Sequence, residues 1–308
     1  MIIDFHAHIR MDTLVTPKYW RGWIATSQAA SGASEERIGE RIRTIMYIGA
    51  DELVRDMDEA GIDKTVVVGV DLGLCKELDD YKLNWYEYHE PIREALKKYP
   101  DRLIGFVGID PRREKAVELL EMAVREWGMK GVKLHPSAGF YPNDPICYPV
   151  YEKASELGIP IHIHTGGEPY PFKVKWCMPV YVDDVAADFP DVTIILAHAG
   201  LWWWYDALTL AGYKGNVMLD ITAWQQWAHT NPVEFFRAVR TAMDLSSFRK
   251  VLLGSDWPAV SMLMSQKKWV DMFRNLPGEV KEAGIEFKQR EIDAILGGNA
   301  ARILGLAD

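Results

Sequence analysis

The 308-residue sequence predicts an α/β fold, a single (β/α)8 TIM barrel with a long insertion after the first strand. Three observations carry this. Short β-branched runs alternate with longer amphipathic stretches from end to end, the alternation repeats eight times, and the residues with chemistry gather at the C-terminal ends of many different runs. Strand followed by helix is the pattern of a parallel sheet with right-handed crossovers. An open sheet would also alternate, but it would spread those strand ends along an edge, whereas a barrel gathers them at one mouth.

The strand candidates, in order, are IIDFHAH (2–8), KTVVVGV (64–70), RLIGFVGI (102–109), KGVKLHP (130–136), IPIHIHT (159–165), VTIILAHA (192–199), NVMLDIT (216–222) and KVLLGSD (250–256). Each is strand-like material bounded by Gly, Pro, Asn or Asp. Helix candidates fall between and after them at 51–60, 85–98, 113–127, 148–157, 180–188, 203–212, 232–243 and 289–304. AVELLEMAVREW shows the i, i+3, i+4 apolar spacing of a helix packed on a sheet. The one long departure is 9–50, which holds Trp20, Trp23, a polar stretch and a helix expected at about 34–48. Following strand one directly, it must start at the barrel mouth, and loops of such length tend to be lids or binding segments. No linker or low-complexity stretch interrupts the chain, so one domain over 1–308 is expected.

Composition narrows the function classes. The chain is 48% hydrophobic and 26% charged, ordinary for a globular protein, with a net charge of −9. That excludes the clustered basic footprint of a nucleic-acid binder. Cys75, Cys147 and Cys177 are odd in number and form no C-x-x-C pair, so neither a disulfide framework nor a cysteine-rich zinc site is indicated. Reduced thiols, no signal-peptide pattern and no long apolar run imply a cytoplasmic protein with no membrane partner.

Five histidines and one aspartate sit at or near strand ends, with His135 and Lys133 as a further pair on strand four. His6 and His8 come from D-F-H-A-H, and at i and i+2 both imidazoles face the same side of a strand. The same parity pairs His162 with His164, and Lys133 with His135; His198 ends LAHAG and Asp256 ends LLGSDWP. One histidine in a strand is more often a satisfied core residue than a ligand. So many strand ends bearing imidazole, with an aspartate, are hard to assign to packing, because a buried imidazole is costly without a partner. Neutral imidazoles and a carboxylate are what borderline divalent metals prefer. Asp4 shares the parity of His6 and His8 and is expected to be structural, deeper in the barrel; Asp220 on strand seven is ambiguous. Trp202, Trp203 and Trp204 could wall the pocket or belong to core or interface, and Asn299 looks like a helix cap or turn residue.

DFHAH, GVKLHP, PIHIHTG, LAHAG, GSDWP and GGNAARILGL, in this order, resemble the amidohydrolase superfamily over nearly the whole chain, and within it the aminocarboxymuconate semialdehyde decarboxylase-like branch. The resemblance implies a metal-dependent barrel with His6, His8, His164 and Asp256 as metal ligands. It places His198 beside the metal, as a second-metal ligand or a group polarising the substrate. Lys133 would either be carboxylated and bridge two metals, or stay a cation that binds substrate with His135. One divalent ion is favoured, Zn²⁺ before Mn²⁺, with a binuclear site as the alternative.

The expected function is hydrolysis of an amide, lactone or related carbonyl compound by metal-activated water, with Asp256 as general base and His198 stabilising the oxyanion. The alternative is non-oxidative decarboxylation of an aromatic or unsaturated acid, with Asp256 protonating carbon as CO₂ leaves. A non-catalytic barrel is the reading from another class, and no expected ligand is missing to favour it. The expected partner is a small molecule, carboxylated in the second case, and a homo-oligomer is compatible with the sequence without being indicated by it.

Overall fold

The computed structural model describes residues 1–306, and among these all eight expected strands form. They are β1 (Ile3–Ala7), β2 (Lys64–Val68), β3 (Leu103–Gly108), β4 (Gly131–Leu134), β5 (Ile161–His164), β6 (Ile194–Ala197), β7 (Val217–Asp220) and β8 (Val251–Leu252). Every neighbouring pair is parallel and the order is sequential. Closure onto β1 comes from backbone bonds, Phe5 N to Leu253 O at 2.8 Å and Asp256 N to His6 O at 2.8 Å, with a bridge between Ala7 and Trp257. The fold is a TIM barrel.

The helices are α1 (Pro17–Ser31), α2 (Glu35–Met46), α3 (Ala50–Ala60), α4 (Trp85–Lys98), α5 (Ala116–Trp127), α6 (Tyr148–Leu157), α7 (Asp183–Asp188), α8 (Trp204–Tyr213), α9 (Gln225–Thr230), α10 (Pro232–Leu245), α11 (Gln266–Arg274), α12 (Gly278–Glu282), α13 (Gln289–Asp293) and α14 (Asn299–Ile303). None is long and apolar enough to cross a membrane. The insertion holds two helices where one was expected. The signal for α1 was local: Thr16 accepts from Tyr19 N as an N-cap and Pro17 occupies the first helical position. The single helix expected at 289–304 is broken into α13, a π turn and α14, because Gly297 lies against the Met1 backbone, where any Cβ would collide.

Two apolar layers form. Ile3, Phe5, Val66, Val68, Phe106, Ile195, Met218 and Leu252 belong to an inner cluster, joined by Ala300 and Ala301 of α14. The much larger outer cluster joins strands to helices and includes Ile2 and Ala7. Phe5 is inner and Ala7 outer, so the strict alternation expected along β1 fails. A β-bulge between Asp4 and Ala7 shifts the register, turning His6 and His8 inward while Asp4 leaves their face. Asp4 instead accepts hydrogen bonds from Ser255 N at 2.8 Å and, across to α11, from Gln266 Nε2 at 2.7 Å. It is structural, as expected, but it ties the β8 loop to the helix layer. These bonds also shorten β8: beyond Leu252 the backbone turns to Asp4 and His6, and Asp256 sits past the strand at φ 52.

Candidate metal centre and active-site pocket

The histidines of β1 and the strand ends around it converge on one cavity of about 280 Å³, at the C-terminal mouth of the barrel. Its floor carries His6, His8, Lys133, His135, His164, His198 and Asp256. Its walls are mostly apolar: Met11, Leu14, Tyr19 and Trp23 from the insertion, with Val70, Leu201, Val260 and Leu263 opposite. All seven residues singled out from the sequence line this one space.

The geometry at His6 and His8 identifies what the floor can hold. His6 Nδ1 is 2.8 Å from Asp220 Oδ2, and His8 Nδ1 is 2.9 Å from the Val68 carbonyl oxygen. Those oxygens only accept, so each Nδ1 carries the proton, and in the neutral ring each Nε2 is a bare lone pair. Burial, helped by the charge of Lys133, keeps His6 far below its ordinary pKa and therefore neutral. Yet the two Nε2 atoms face each other at 3.1 Å, with Asp256 Oδ1 3.8 Å from one and 3.5 Å from the other. A shared cation would satisfy two lone pairs and a carboxylate held this close together. The edge of a tetrahedron with ~2.1 Å metal–ligand bonds is about 3.4 Å, which these separations bracket. The residues fit a divalent ion.

Asp220, ambiguous from sequence, orients this group from below. Its carboxylate also lies 3.1 Å from His162 Nε2 and accepts from Thr222 N at 3.0 Å and from the Thr222 hydroxyl. Burial would raise its pKa, but the bonds to His162 and His6 outweigh that and hold it well below the carboxylate range. His162 is thus an interior residue held through Nε2 by Asp220, with its buried Nδ1 unpartnered among the described residues, and does not line the pocket. His198 Nδ1 lies 3.3 Å from the Thr222 carbonyl oxygen, so the same proton accounting leaves its Nε2 as a lone pair. His198 and Asp256 have φ of 61 and 52, and Ala199, Leu201 and Ala223 beside them are also left-handed. For residues with a Cβ this costs roughly 1 kcal/mol or more each, and such strain is found where a site over-determines the backbone.

Lys133 is 1% exposed, and its ammonium has no hydrogen-bond partner among the described residues. Burial lowers its pKa to about 8, against the opposing pull of Asp220, Asp256 and Glu168. Glu168 escaped the sequence reading. It lies in the loop after β5, with Oε1 2.8 Å from His135 Nε2 and 3.3 Å from His164 Nε2. The loop is seated by α1: Gly22 lies directly on the Tyr170 backbone, and Tyr19 donates to Glu168 at 3.4 Å. Only the fold of that loop brings Glu168 back onto β4 and β5. His164 is therefore the expected ligand that stands somewhat apart: among the described residues the tight groups of donor atoms are His6, His8 and Asp256, then His6, His162 and Asp220, and then His135, His164 and Glu168.

Other expectations resolve more simply. Trp202 is 77% exposed and Trp204 packs with Tyr205, Trp224 and Trp227, so the pocket wall there is Leu201. Asn299 Nδ2 donates to the carbonyls of Phe248 and Val251 at 2.8 Å each, fastening α14 to β8.

Known proteins are similar to this chain in sequence and in fold. A 2-amino-3-carboxymuconate-6-semialdehyde decarboxylase of Dictyostelium discoideum is 23% identical over 99% of this chain and 91% of its own length. A 2-keto-4-carboxy-3-hexenedioate hydratase of a Sphingobium strain is 26% identical over 65% of each chain. A 5-carboxyvanillate decarboxylase of Novosphingobium aromaticivorans, solved with manganese and 4-hydroxy-3-methoxy-5-nitrobenzoic acid, superposes with a TM-score of 0.72 at 17% identity, covering 99% of this chain and 96% of that one. Two of these three are named for decarboxylation and none for hydrolysis, so they favour the alternative over the hydrolytic expectation. The ion in the solved neighbour is manganese, where ligand types alone had favoured zinc. The sequence profile of the family described as Amidohydrolase matches residues 3–306, and the chain belongs to that family.

Proposed function

We propose that the protein catalyses the metal-dependent, non-oxidative decarboxylation of an aromatic or unsaturated carboxylic acid. The observation that carries this reading is Lys133, a buried ammonium without a partner, in the same apolar-walled cavity as the convergent His6, His8 and Asp256. A substrate carboxylate would supply the missing partner, and the aromatic and aliphatic walls suit a planar body. The decarboxylases among the similar proteins support the same choice.

In this reading His6, His8, His164 and Asp256 hold one divalent ion, manganese or zinc. When bound, the ion acts as a Lewis acid that polarises a substrate oxygen. Lys133 and His135 bind and orient the acid. Asp256 would relay the proton: it takes one from a substrate hydroxyl or water and delivers it to the carbon that keeps the electron pair of the broken carbon–carbon bond as CO₂ departs. The hydrogen bond from His8, with His6 and His198 nearby, holds Asp256 below the ordinary carboxylate range despite its burial, so it rests as the carboxylate that can receive that proton. His198, its Nε2 free, faces the substrate oxygen. Tyr19 and Trp23 of the insertion cover the mouth and exclude water.

The test is product analysis. Protein loaded with Mn²⁺ is incubated with carboxylated phenols and with unsaturated di- and tricarboxylic acids, and released CO₂ is measured beside the mass of the product. Loss of 44 mass units, abolished in Asp256→Asn, is expected. A gain of 18 mass units without CO₂ would replace this reading with hydration or hydrolysis.

A further inference from the structure

We propose that Glu168 sets the charge of the substrate, a selection that rests on the decarboxylase reading above and gives it a substrate class. The acid it selects has one carboxylate, held at Lys133, and carries a hydroxyl or amino group that donates to Glu168. Acids with a second carboxylate are turned away.

The position of Glu168 is built by the sequence T-G-G-E that follows β5. The Thr165 hydroxyl donates to the Ala197 carbonyl at 2.6 Å and accepts from Gly200 N at 3.1 Å, which pins the end of β5 to the turn after β6. Gly166 has φ 109, a left-handed value that favours glycine, and a Cβ there would press on Leu201. Its N–H donates to the Cys177 carbonyl at 3.0 Å. Gly167 lines the cavity and has open space where a Cβ would stand. The chain thus turns back at once, and Glu168 joins the cavity lining with its side chain only 7% exposed.

Inside the cavity that carboxylate is short of partners. Oε1 lies 2.8 Å from His135 Nε2 and 3.3 Å from His164 Nε2, and Oε2 receives the Tyr19 hydroxyl at a long 3.4 Å. Among the described residues no lysine or arginine pairs with it. A carboxylate can accept about four hydrogen bonds, and a buried one left short is costly, so it draws a donor from whatever fills the cavity. A hydroxyl or amino group can donate. A carboxylate cannot, and two carboxylates brought together in an apolar cavity repel. The charge of the whole lining points the same way. Lys133 is its one lysine or arginine, against Asp256 and Glu168, so one divalent ion leaves a single net positive charge, the match of one carboxylate. The walls at Met11, Leu14, Val260 and Leu263 offer a second carboxylate nothing to pair with. Glu168 therefore discriminates both by attraction and by repulsion.

The experiment is calorimetric titration of Mn²⁺-loaded protein with benzoic acid and with the isomeric hydroxybenzoic, aminobenzoic and benzenedicarboxylic acids. Wild type, Glu168→Gln, Glu168→Ala and Lys133→Met are compared after the metal content of each has been measured. In wild type the best hydroxy- or aminobenzoic acid should bind about tenfold tighter, or more, than any benzenedicarboxylic acid. In both Glu168 variants that ratio should collapse toward unity, with Mn²⁺ retained and benzoic acid bound as in wild type. A merely structural Glu168 would weaken all the acids together and leave the ratio alone. A ratio that survives both variants therefore overturns the proposal, as does a wild type that binds a dicarboxylic acid as tightly as any hydroxy or amino acid. Loss of Mn²⁺ in the Glu168 variants also overturns it, because the carboxylate would then serve the ion. If one variant does not fold, the other reads the same ratio. Undiminished binding of benzoic acid by Lys133→Met, or no binding of any acid by wild type, is a separate failure: it overturns the acid-binding role of Lys133 and with it the decarboxylase reading.

Discussion

Replacing Asp220 with Asn should weaken metal binding by 10–100-fold without emptying the ligand set. The Asp220 carboxylate accepts on one oxygen from His6 Nδ1 and His162 Nε2, at 2.8 and 3.1 Å, and on the other from Thr222. An amide retains a single acceptor. If it stays with Thr222, the new NH₂ confronts His6 Nδ1 with a donor, and His6 must move its proton to Nε2, the atom that points at His8 and Asp256. If it stays with His6, Thr222 N and hydroxyl lose their acceptor and the loop after β7 relaxes. Either way His6 is a poorer ligand. Loss of a carboxylate behind a ligating histidine typically costs 10–100-fold in affinity, about 1.4–2.7 kcal/mol. The assay is calorimetric titration of metal-stripped protein with Mn²⁺, together with the melting temperature of the metal-free form. A variant that folds and binds Mn²⁺ as tightly as wild type would refute the proton accounting and the ligand role it gives His6.

Three further outcomes can be measured on the metal-free protein. Lys133→Met should raise stability, because burial lowers the ammonium from about 10.5 to about 8 and its removal relieves about 3 kcal/mol; denaturant midpoints at pH 7 check this, and in the metal-loaded variant turnover of carboxylated substrates should vanish. His89 is buried, with Nδ1 2.8 Å from the Trp85 carbonyl and Nε2 accepting from Gly108 N, and burial lowers its pKa to about 4. The unfolded chain takes up this proton near pH 6.5 and the folded one near 4, so stability is full above pH 6.5 and falls by about 3 kcal/mol on the way to pH 4; His89→Gln should flatten that part of the pH dependence. Gly22→Ala would drive a methyl group into the Tyr170 carbonyl and lift α1 off the β5 loop, costing about 1–3 kcal/mol in thermal or urea unfolding and exposing Trp23 to fluorescence quenchers.

Much of the fold was legible because period and position are local properties. Eight runs with strand composition yielded eight strands, and seven polar residues near their ends were placed in one cavity by the closure of the barrel. The failures mark where a residue's surroundings come from elsewhere in the chain. Parity gave Asp4, His6 and His8 one face, but β1 is bulged against β2 between Asp4 and Ala7, and on its other side Phe5 N donates to Leu253 O while His6 O accepts from Asp256 N, partners far away in sequence. β8 was expected to run to Asp256, yet the Asp4 carboxylate draws Ser255 off the ladder. Glu168 follows two glycines in a loop, and nothing in T-G-G-E shows that the loop folds back onto His135. Asp220 is a strand residue like many others until its two histidine partners, on β1 and β5, are known.

That last arrangement couples the site to the barrel itself. In a sequential eight-stranded barrel β1 and β5 stand opposite each other, and β7 lies between them on one side. A single carboxylate on β7 reaches His6 on one wall and His162 on the other, so the orientation of a metal ligand depends on the barrel keeping its diameter. The dependence runs both ways. An ion that binds the folded arrangement and not the unfolded chain stabilises the fold by RT ln(1 + [M]/Kd), about 2.7 kcal/mol at a hundredfold excess over Kd. Asp220→Asn, by lowering affinity, must shrink that gain by the same free energy, and the difference in melting temperature between loaded and metal-free protein should narrow in step. The β1–β7–β5 link therefore predicts one number twice, once from calorimetry and once from unfolding. Agreement between the two would show that the ion binds the folded arrangement alone, and a fall in the melting temperature of the metal-free form would measure separately how far Asp220 supports the barrel without the ion.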